Sequence, residues 1–345
     1  MPNLPIAIIG FGRIGEVHAR NCLAMAASGA PVTLAAIVEP REERREAAAR
    51  ALSEQQGAVV RGFPSVHQLL DEMTISGAIV GSTTASHYSN AKALVEAGCR
   101  VLLEKPLTDS PAGDREFTHF LNAHHPESLM LAFQRRFDAP LRWAKSMIDR
   151  REIGRPFKFV SILEDSKLMP AGYQTPGLLR DMSIHNVDEL LWLSGQKPSH
   201  VRYTGSRIYS QARTEVHEDF DDALLQFQLG PDAIGQIQVS RNHVAGYRCE
   251  TWIYGENGMV HVGEFHQDAT EVIGEAFGRD GLMDRQCFAL PPAAPEAPEF
   301  VARFAPAYAE ELAVFVEHLR QKTAFPVDQN DGLRATDLLE SAQAV

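Results

Sequence analysis

Three groups of residues have types and spacings suited to chemistry. The run RVLLEKP ends an apolar stretch on Glu104, Lys105 and Pro106. An ammonium at a strand end can hydrogen-bond a substrate hydroxyl and favour its alkoxide, and the proline removes a donor and stiffens the turn. A lysine that merely snorkels there is the competing reading of Lys105. The segment GLLRDMSIHNVDELLWLSG puts Asp181, His185, Asp188 and Trp192 on one helical stripe, at spacings of four, three and four. Leu178, Met182, Ile184, Val187 and Leu191 make that helix apolar nearly all round, so a carboxylate and an imidazole on it are costly without partners or purpose. The pair reads either as acid–base chemistry, with the carboxylate orienting the ring, or as an i,i+4 pair satisfied in a domain interface. Gly10, Gly12 and Gly15 form G-x-G-x-x-G between an apolar run and a helical segment. There they suit a tight turn, close approach of a pyrophosphate and close helix packing, while the helix start at Arg13 and Ile14 offers N–H groups and a positive dipole to phosphates. Glu39 closes the next strand, 24 residues after Gly15, where an acid accepts from ribose hydroxyls. That favours NAD. Arg41, two residues on, could pair with a 2′-phosphate, so NADP stays open.

These groups need elements behind them. From Leu4 onward LPIAII, VTLAAIVE, GAIVGST, RVLLE and LMLAF read as strands, alternating with helical segments over 10–27, 41–52, 87–97 and 111–124. Strands and helices alternating at this spacing imply βαβ units and a doubly wound parallel sheet, a first domain over 1–137. Beyond it, PFKFVSIL, DDALLQFQL, AIGQIQVSR, CETWIYG and MVHVGEF alternate with period 2 and read as an antiparallel sheet. One helix, 178–194, interrupts that half, and a proline-rich arm at 289–300 precedes helices over 306–321 and 332–344. The second domain is 138–345, with its last helices free to pack back on the first.

Composition narrows the class. The chain has 345 residues, 44% of them apolar, and 33 basic against 45 acidic residues give a net charge of −12. That balance argues against nucleic acid or anionic lipid as a partner. No window approaches the ~20 apolar residues of a membrane span, the start has no basic signal region, and the four cysteines form no metal-type pair, so a soluble, unexported, cytoplasmic protein is expected. The tightest cluster of ligand-type residues, His217, Glu218, Asp219, Asp221 and Asp222, lacks the spacing of a zinc site and reads as a solvated loop, so no metal is expected.

GFGRIGEVHARN at the start, EKPL at 104–107 and D-x-x-x-H-x-x-D from Asp181 to Asp188 together resemble the glucose–fructose oxidoreductase/inositol dehydrogenase/MocA family, over essentially the whole chain. The resemblance implies a Rossmann domain followed by an α/β domain with a large, open, mostly antiparallel sheet. AFQRRFD, LLRDMSIHNVDE and DGLRA look most like inositol 2-dehydrogenases. It implies that His185 is the general base, that Asp181 orients it and contacts substrate, and that Lys105 holds the reacting oxygen. It also implies cofactor contacts from Thr83, Thr84, His87, Glu104 and Lys105, and pocket roles for Arg135, Asp165, Asn186 and Tyr247. A homodimer or homotetramer is expected, in part because a large sheet's exposed edges are usually covered.

Two segments depart from the family pattern. Glu164, Asp165, Ser166 and Lys167 stand where such inositol dehydrogenases tend to carry His/Arg/Asn or Ser-Arg-Asp, and Thr83, Thr84, Ala85 and Ser86 replace the usual Thr-Pro-Asn before His87. The leading expectation is NAD-dependent oxidation of myo-inositol to its 2-keto form. Dehydrogenation or reduction of another inositol isomer or sugar is the second. An NAD-using glycoside hydrolase or a non-catalytic dinucleotide sensor is the third, and retention of an acid–base group on a buried helix speaks against the sensor.

Overall fold

The computed structural model describes residues 3–166, 176–207, 219–293 and 297–344. Lys167, His217 and Glu218 lie outside them. The chain divides into two compact units, one running to Phe133 and including Tyr308–Leu333, the other comprising Gln134–Ala307 and the residues from Arg334 on.

The first unit is built on six strands, β1 (Leu4–Ile9), β2 (Val32–Val38), β3 (Arg61–Phe63), β4 (Gly77–Val80), β5 (Arg100–Glu104) and β6 (Leu129–Ala132). All pair in parallel, in the order β3-β2-β1-β4-β5-β6. β4 and β6 are buried at every position, as expected of strands covered on both faces. Helices α1 (Arg13–Ala27), α2 (Glu42–Gln56), α3 (Val66–Glu72), α4 (His87–Glu96) and α5 (Pro111–His124) connect them. Strand order reverses between β1 and β4, and in open α/β sheets ligands bind beyond the strand ends at that point. The late segment adds to the same core: Phe315 and Leu319 press so closely on Gly77 that a Cβ there would stand 2.9 Å from a Leu319 methyl.

The second unit contains α6 (Ala139–Asp149), β7 (Pro156–Glu164), α7 (Ile184–Ser194), β8 (Pro198–Ser206), β9 (Asp222–Leu229), β10 (Ala233–Ser240), β11 (Arg248–Gly255), β12 (Gly258–Glu264), β13 (Glu271–Gly278) and β14 (Gly281–Ala289). Two helices close the chain, α8 (Glu299–Gln321) and α9 (Gln329–Glu340), followed by a short strand β15 (Gln343–Ala344). Its sheet runs β14-β13-β12-β11-β7-β10-β9-β8-β15. Only β10 with β7 and β15 with β8 are parallel, so the sheet is mostly antiparallel. β9 buries alternate residues, the pattern of a sheet packed on one side. Deep in this unit Arg303 grips Asp138 through both guanidinium arms, at 2.8 and 2.9 Å, with both side chains almost wholly buried. Arg303→Met would strand a buried carboxylate and is expected to cost about 3–5 kcal/mol of unfolding free energy in denaturant titration.

Several elements differ from the sequence expectation. α8 starts at Glu299 and carries Pro306 inside it, where a proline was expected to open the helix. Burial of Arg303, Phe304, Ala307 and Tyr308 on either side of the proline outweighs the bond it removes. α9 starts earlier than expected because Asp328 caps it: its carboxylate accepts from the Asn330 and Asp331 N–H groups, and Asp331 accepts from the Asp328 N–H in return. It ends at Glu340, and Gln343 and Ala344 pair with Arg202 and Tyr203 of β8 instead of continuing the helix. Hairpin β13–β14 and strand β8 show little hydrophobic alternation on their exposed residues and escape a period-2 reading.

Candidate active site

At the switch point of the first unit, β1 runs into the glycine turn. Gly10 has φ +88°, and a Cβ on it would lie 2.4 Å from Ser82 Cα. A Cβ on Gly15 would lie 2.0 Å from the Gly10 carbonyl oxygen, so α1 can reach the strand only with glycine there. Gly12, by contrast, faces open space: nothing stands within 4 Å of where its Cβ would be. It precedes α1 with no side-chain cap, and the first intrahelical bond is Glu16 N–H to the Gly12 carbonyl. The N–H groups of Arg13, Ile14 and Gly15 thus open a helix whose approach is unobstructed at Gly12, a cradle that fits a pyrophosphate. Glu39 at the end of β2 is nearly buried, and its carboxylate accepts from the Arg41 N–H at 3.1 Å and from Arg41 Nε at 2.8 Å. Burial works to raise this carboxyl, but the hydrogen bonds and charge of Arg41 outweigh it and hold it below its ordinary value.

Lys105 follows β5 at the same edge of the sheet and is half-buried, and its peptide bond to Pro106 is cis. The buried His87, at the start of α4, has Nδ1 2.8 Å from the Pro106 carbonyl and Nε2 3.2 Å from the Ser82 carbonyl. A neutral ring donates to only one of these, and the nearer is Pro106. Burial lowers the His87 pKa, which keeps the ring neutral. His87 therefore ties the loop after β4 to the turn that carries Lys105. Thr83 and Ser86 bond each other through their hydroxyls at 3.2 Å, and Thr84 opens a single 3₁₀ turn before His87.

In the second unit the polar groups gather where β7 and β10 end and β11 begins. Because β7 and β10 run parallel, Glu164 stands opposite Ser240, and antiparallel β11 brings Arg248 beside it. Asp165 continues the ladder, its N–H donating to Ser240 and its carbonyl accepting from the His243 N–H, both at 2.9 Å. Glu164 accepts from Gln238 at 2.6 Å and from Arg248 at 3.3 Å. Ser166 bonds Glu299. The segment before α7 is not α-helical throughout. Leu179–Ser183 forms a wider π turn, so the stripe drawn from Asp181 at α spacing is broken there. Asp181 accepts from Arg241 Nη2 at 3.1 Å, while Asp188 is buried against Arg136, with Arg136 Nε 2.9 Å from its carboxylate. His185 is the second residue of α7 and is half-buried.

The remaining pocket candidates are placed by this helix and sheet. Asn186 is buried and donates to Ser161 of β7 at 2.7 Å, and among the described residues its carbonyl oxygen has no hydrogen-bond partner. Tyr247 is buried too, its hydroxyl without a partner among the described residues, and burial followed by the neighbouring Cys249 pushes the phenol well above its usual range. Orphaned buried polar atoms call for an explanation. Arg135 is a buried ion pair with Glu189 at 2.6 Å, and Glu189 also accepts from Thr251. Arg241 did not stand out in the sequence, where it reads as the last residue of a strand. No local signal pairs it with Asp181, 60 residues away.

Residues 4–130 match the oxidoreductase family model described as having an NAD-binding Rossmann fold, and residues 141–261 match the GFO/IDH/MocA C-terminal domain. An inositol 2-dehydrogenase of Acidiphilium cryptum (strain JF-5) is 30% identical over 261 residues, covering 74% of this chain and 73% of that one. The chain belongs to the Gfo/Idh/MocA oxidoreductase family. Another Gfo/Idh/MocA-like relative, the scyllo-inositol 2-dehydrogenase (NAD(+)) of Bacillus subtilis (strain 168), is 28% identical over 326 residues, covering 93% of this chain and 88% of that one. The fold is also that of a solved myo-inositol dehydrogenase from Corynebacterium glutamicum ATCC 13032, with a TM-score of 0.81 and 27% identity over 99% of this chain and 97% of that one. This Gfo/Idh/MocA member is an NAD-dependent oxidoreductase acting on CH–OH groups, and its first unit is the NAD-binding Rossmann domain. Among the described residues no helix is long and apolar enough to cross a membrane.

Proposed function

We propose that this protein oxidises one hydroxyl of an inositol-type cyclic polyol to a ketone, with myo-inositol first among the candidates. The observation that carries this is the pair of orphaned buried polar atoms, Asn186 Oδ1 and Tyr247 Oη, in the same unit as a half-buried His185. A ligand rich in hydroxyls satisfies such groups. Bound NAD supplies the hydride acceptor. Gly12 and the start of α1 would hold its pyrophosphate, and Glu39 its adenosine ribose. In the proposed roles the Lys105 ammonium donates to the reacting oxygen and offsets the charge that develops there. His185 takes the hydroxyl proton on a ring nitrogen, and the Asp181 carboxylate, itself fixed by Arg241, orients the imidazole. Arg135, Asp165, Asn186 and Tyr247 are proposed to line the polyol site.

A second reading, oxidation of scyllo-inositol or another isomer, is favoured by Glu164, which is held between Gln238 and Arg248 where relatives tend to present other polar side chains. NADH formation with myo-inositol, scyllo-inositol and D-glucose, each with NAD and with NADP, tests both. Turnover on myo-inositol with NAD supports the first reading, turnover confined to another polyol supports the second, and silence across the panel with NAD binding intact removes both.

Glu39→Ala is expected to release Arg41 toward a 2′-phosphate and to shift the NADP-to-NAD ratio of kcat/KM by about tenfold or more toward NADP. An unaltered ratio would show that Glu39 does not contact the ribose.

A further inference from the structure

Beneath the strand end that carries Lys105, three ionisable side chains from distant parts of the sequence meet inside the first unit. His18 comes from α1, Glu104 from the end of β5 and Glu311 from α8, and their polar atoms lie within 4.8 Å of one another. His18 and Glu311 are wholly buried and Glu104 nearly so. His18 Nε2 is 2.8 Å from Glu104 Oε1. Among the described residues neither oxygen of Glu311 has a hydrogen-bond partner, so no lysine, arginine or backbone N–H there donates to it. Tyr308, one turn before Glu311 on α8, meets the His18 ring edge-on at 5.9 Å between centroids.

Two carboxylates enclosed with one imidazole cannot both carry charge at low cost. Glu104 has a bonded partner and Glu311 has none, so the proton belongs on Glu311. Burial first and the charge of Glu104 second raise its pKa well above the ordinary carboxyl value, in keeping with that assignment. A metal ion is the rival occupant. Two ligands of one tetrahedral ion bound at 2.0–2.2 Å would stand about 3.4 Å apart, whereas His18 and Glu104 are at direct hydrogen-bond distance.

We propose that Glu311 is a positioning residue: a permanently neutral carboxylic acid that fills the space within 4.8 Å of the His18–Glu104 pair and so holds the end of β5, and Lys105 after it, in place. Ionised, it would set a second negative charge against Glu104 and push the strand end away. The kinetic part of this proposal rests on the reading of Lys105 as a catalytic residue, and the protonation part does not.

The test uses the full chain with E311Q, a neutral isostere, and E311A. An acid protonated in the fold and ionised when unfolded takes up a proton on folding. Above the ordinary carboxyl range the wild-type folding constant should therefore fall by up to tenfold per pH unit more steeply than that of E311Q. The infrared band of a protonated carboxylic acid, present in the wild type in neutral buffer, should be lost in E311Q. With a polyol substrate E311A should lower kcat by about tenfold to a hundredfold. E311Q should restore it, and the dissociation constant for NAD should move by less than about threefold in both variants. Equal pH slopes and an unchanged infrared band in E311Q would overturn the neutral acid. So would stoichiometric metal in the wild type that E311Q releases. Wild-type kcat in E311A would overturn the positioning role. Absence of any polyol turnover by the wild type would count against the proposed function alone, because the infrared and stability measurements need no substrate.

Discussion

His185→Ala is expected to lower kcat by about 10² to 10⁴ while NAD still binds, since removal of a positioned general base costs that much. The residue stands at the second position of α7, just after the π turn, where the helix changes from wide to regular winding. The same helix is pinned to the sheet by Asn186 on Ser161 and by Glu189 on Thr251, and to the turn before α6 by Asp188 on Arg136, so the alanine variant should fold. Single-turnover kinetics separate the lost chemical step from substrate binding. Near-wild-type turnover in a folded His185→Ala variant would remove the base from the proposal.

Lys105→Met is expected to lower kcat/KM for the polyol by about 10² to 10³, the loss seen when a donor aimed at developing oxygen charge is removed. Methionine retains the apolar stem, so the half-buried position keeps its packing. The tether from His87 to the Pro106 carbonyl remains, and with it the turn. NAD affinity, set at the glycine turn, should stay within about threefold. Equal losses in NAD binding and in turnover would instead mark Lys105 as a cofactor anchor.

The cofactor end of this molecule is legible in sequence because its determinants are local. Gly10, Gly12 and Gly15 lie within one turn, and each is required by backbone within a few ångströms, or by the clearance at Gly12. Lys105 is legible for the same reason, as the residue after an uninterrupted buried strand. What escaped depends on contacts across long stretches of chain. The pairing of Asp181 with Arg241 and the meeting of His18, Glu104 and Glu311 are products of topology, and no spacing rule joins positions 18, 104 and 311. The π turn was hidden for a different reason: Leu179, Met182 and Ser183 suit an α-helix equally well, and only the tertiary setting selects the wider winding. Pro306 misled through a sound local rule, overridden by the buried residues around it.

The late segment Tyr308–Leu333 that completes the first unit sets an order on biosynthesis. Phe315 and Leu319 cover Gly77, and Glu311 closes the space beside Glu104, yet all three emerge from the ribosome more than 200 residues after the strands they serve. The nucleotide-binding unit is begun before the second unit and completed only after most of the second unit has been made. Until Tyr308–Leu333 has been made, its sheet lacks the apolar cover of Phe315 and Leu319, and Glu104 lacks the neighbour that closes the space beside it.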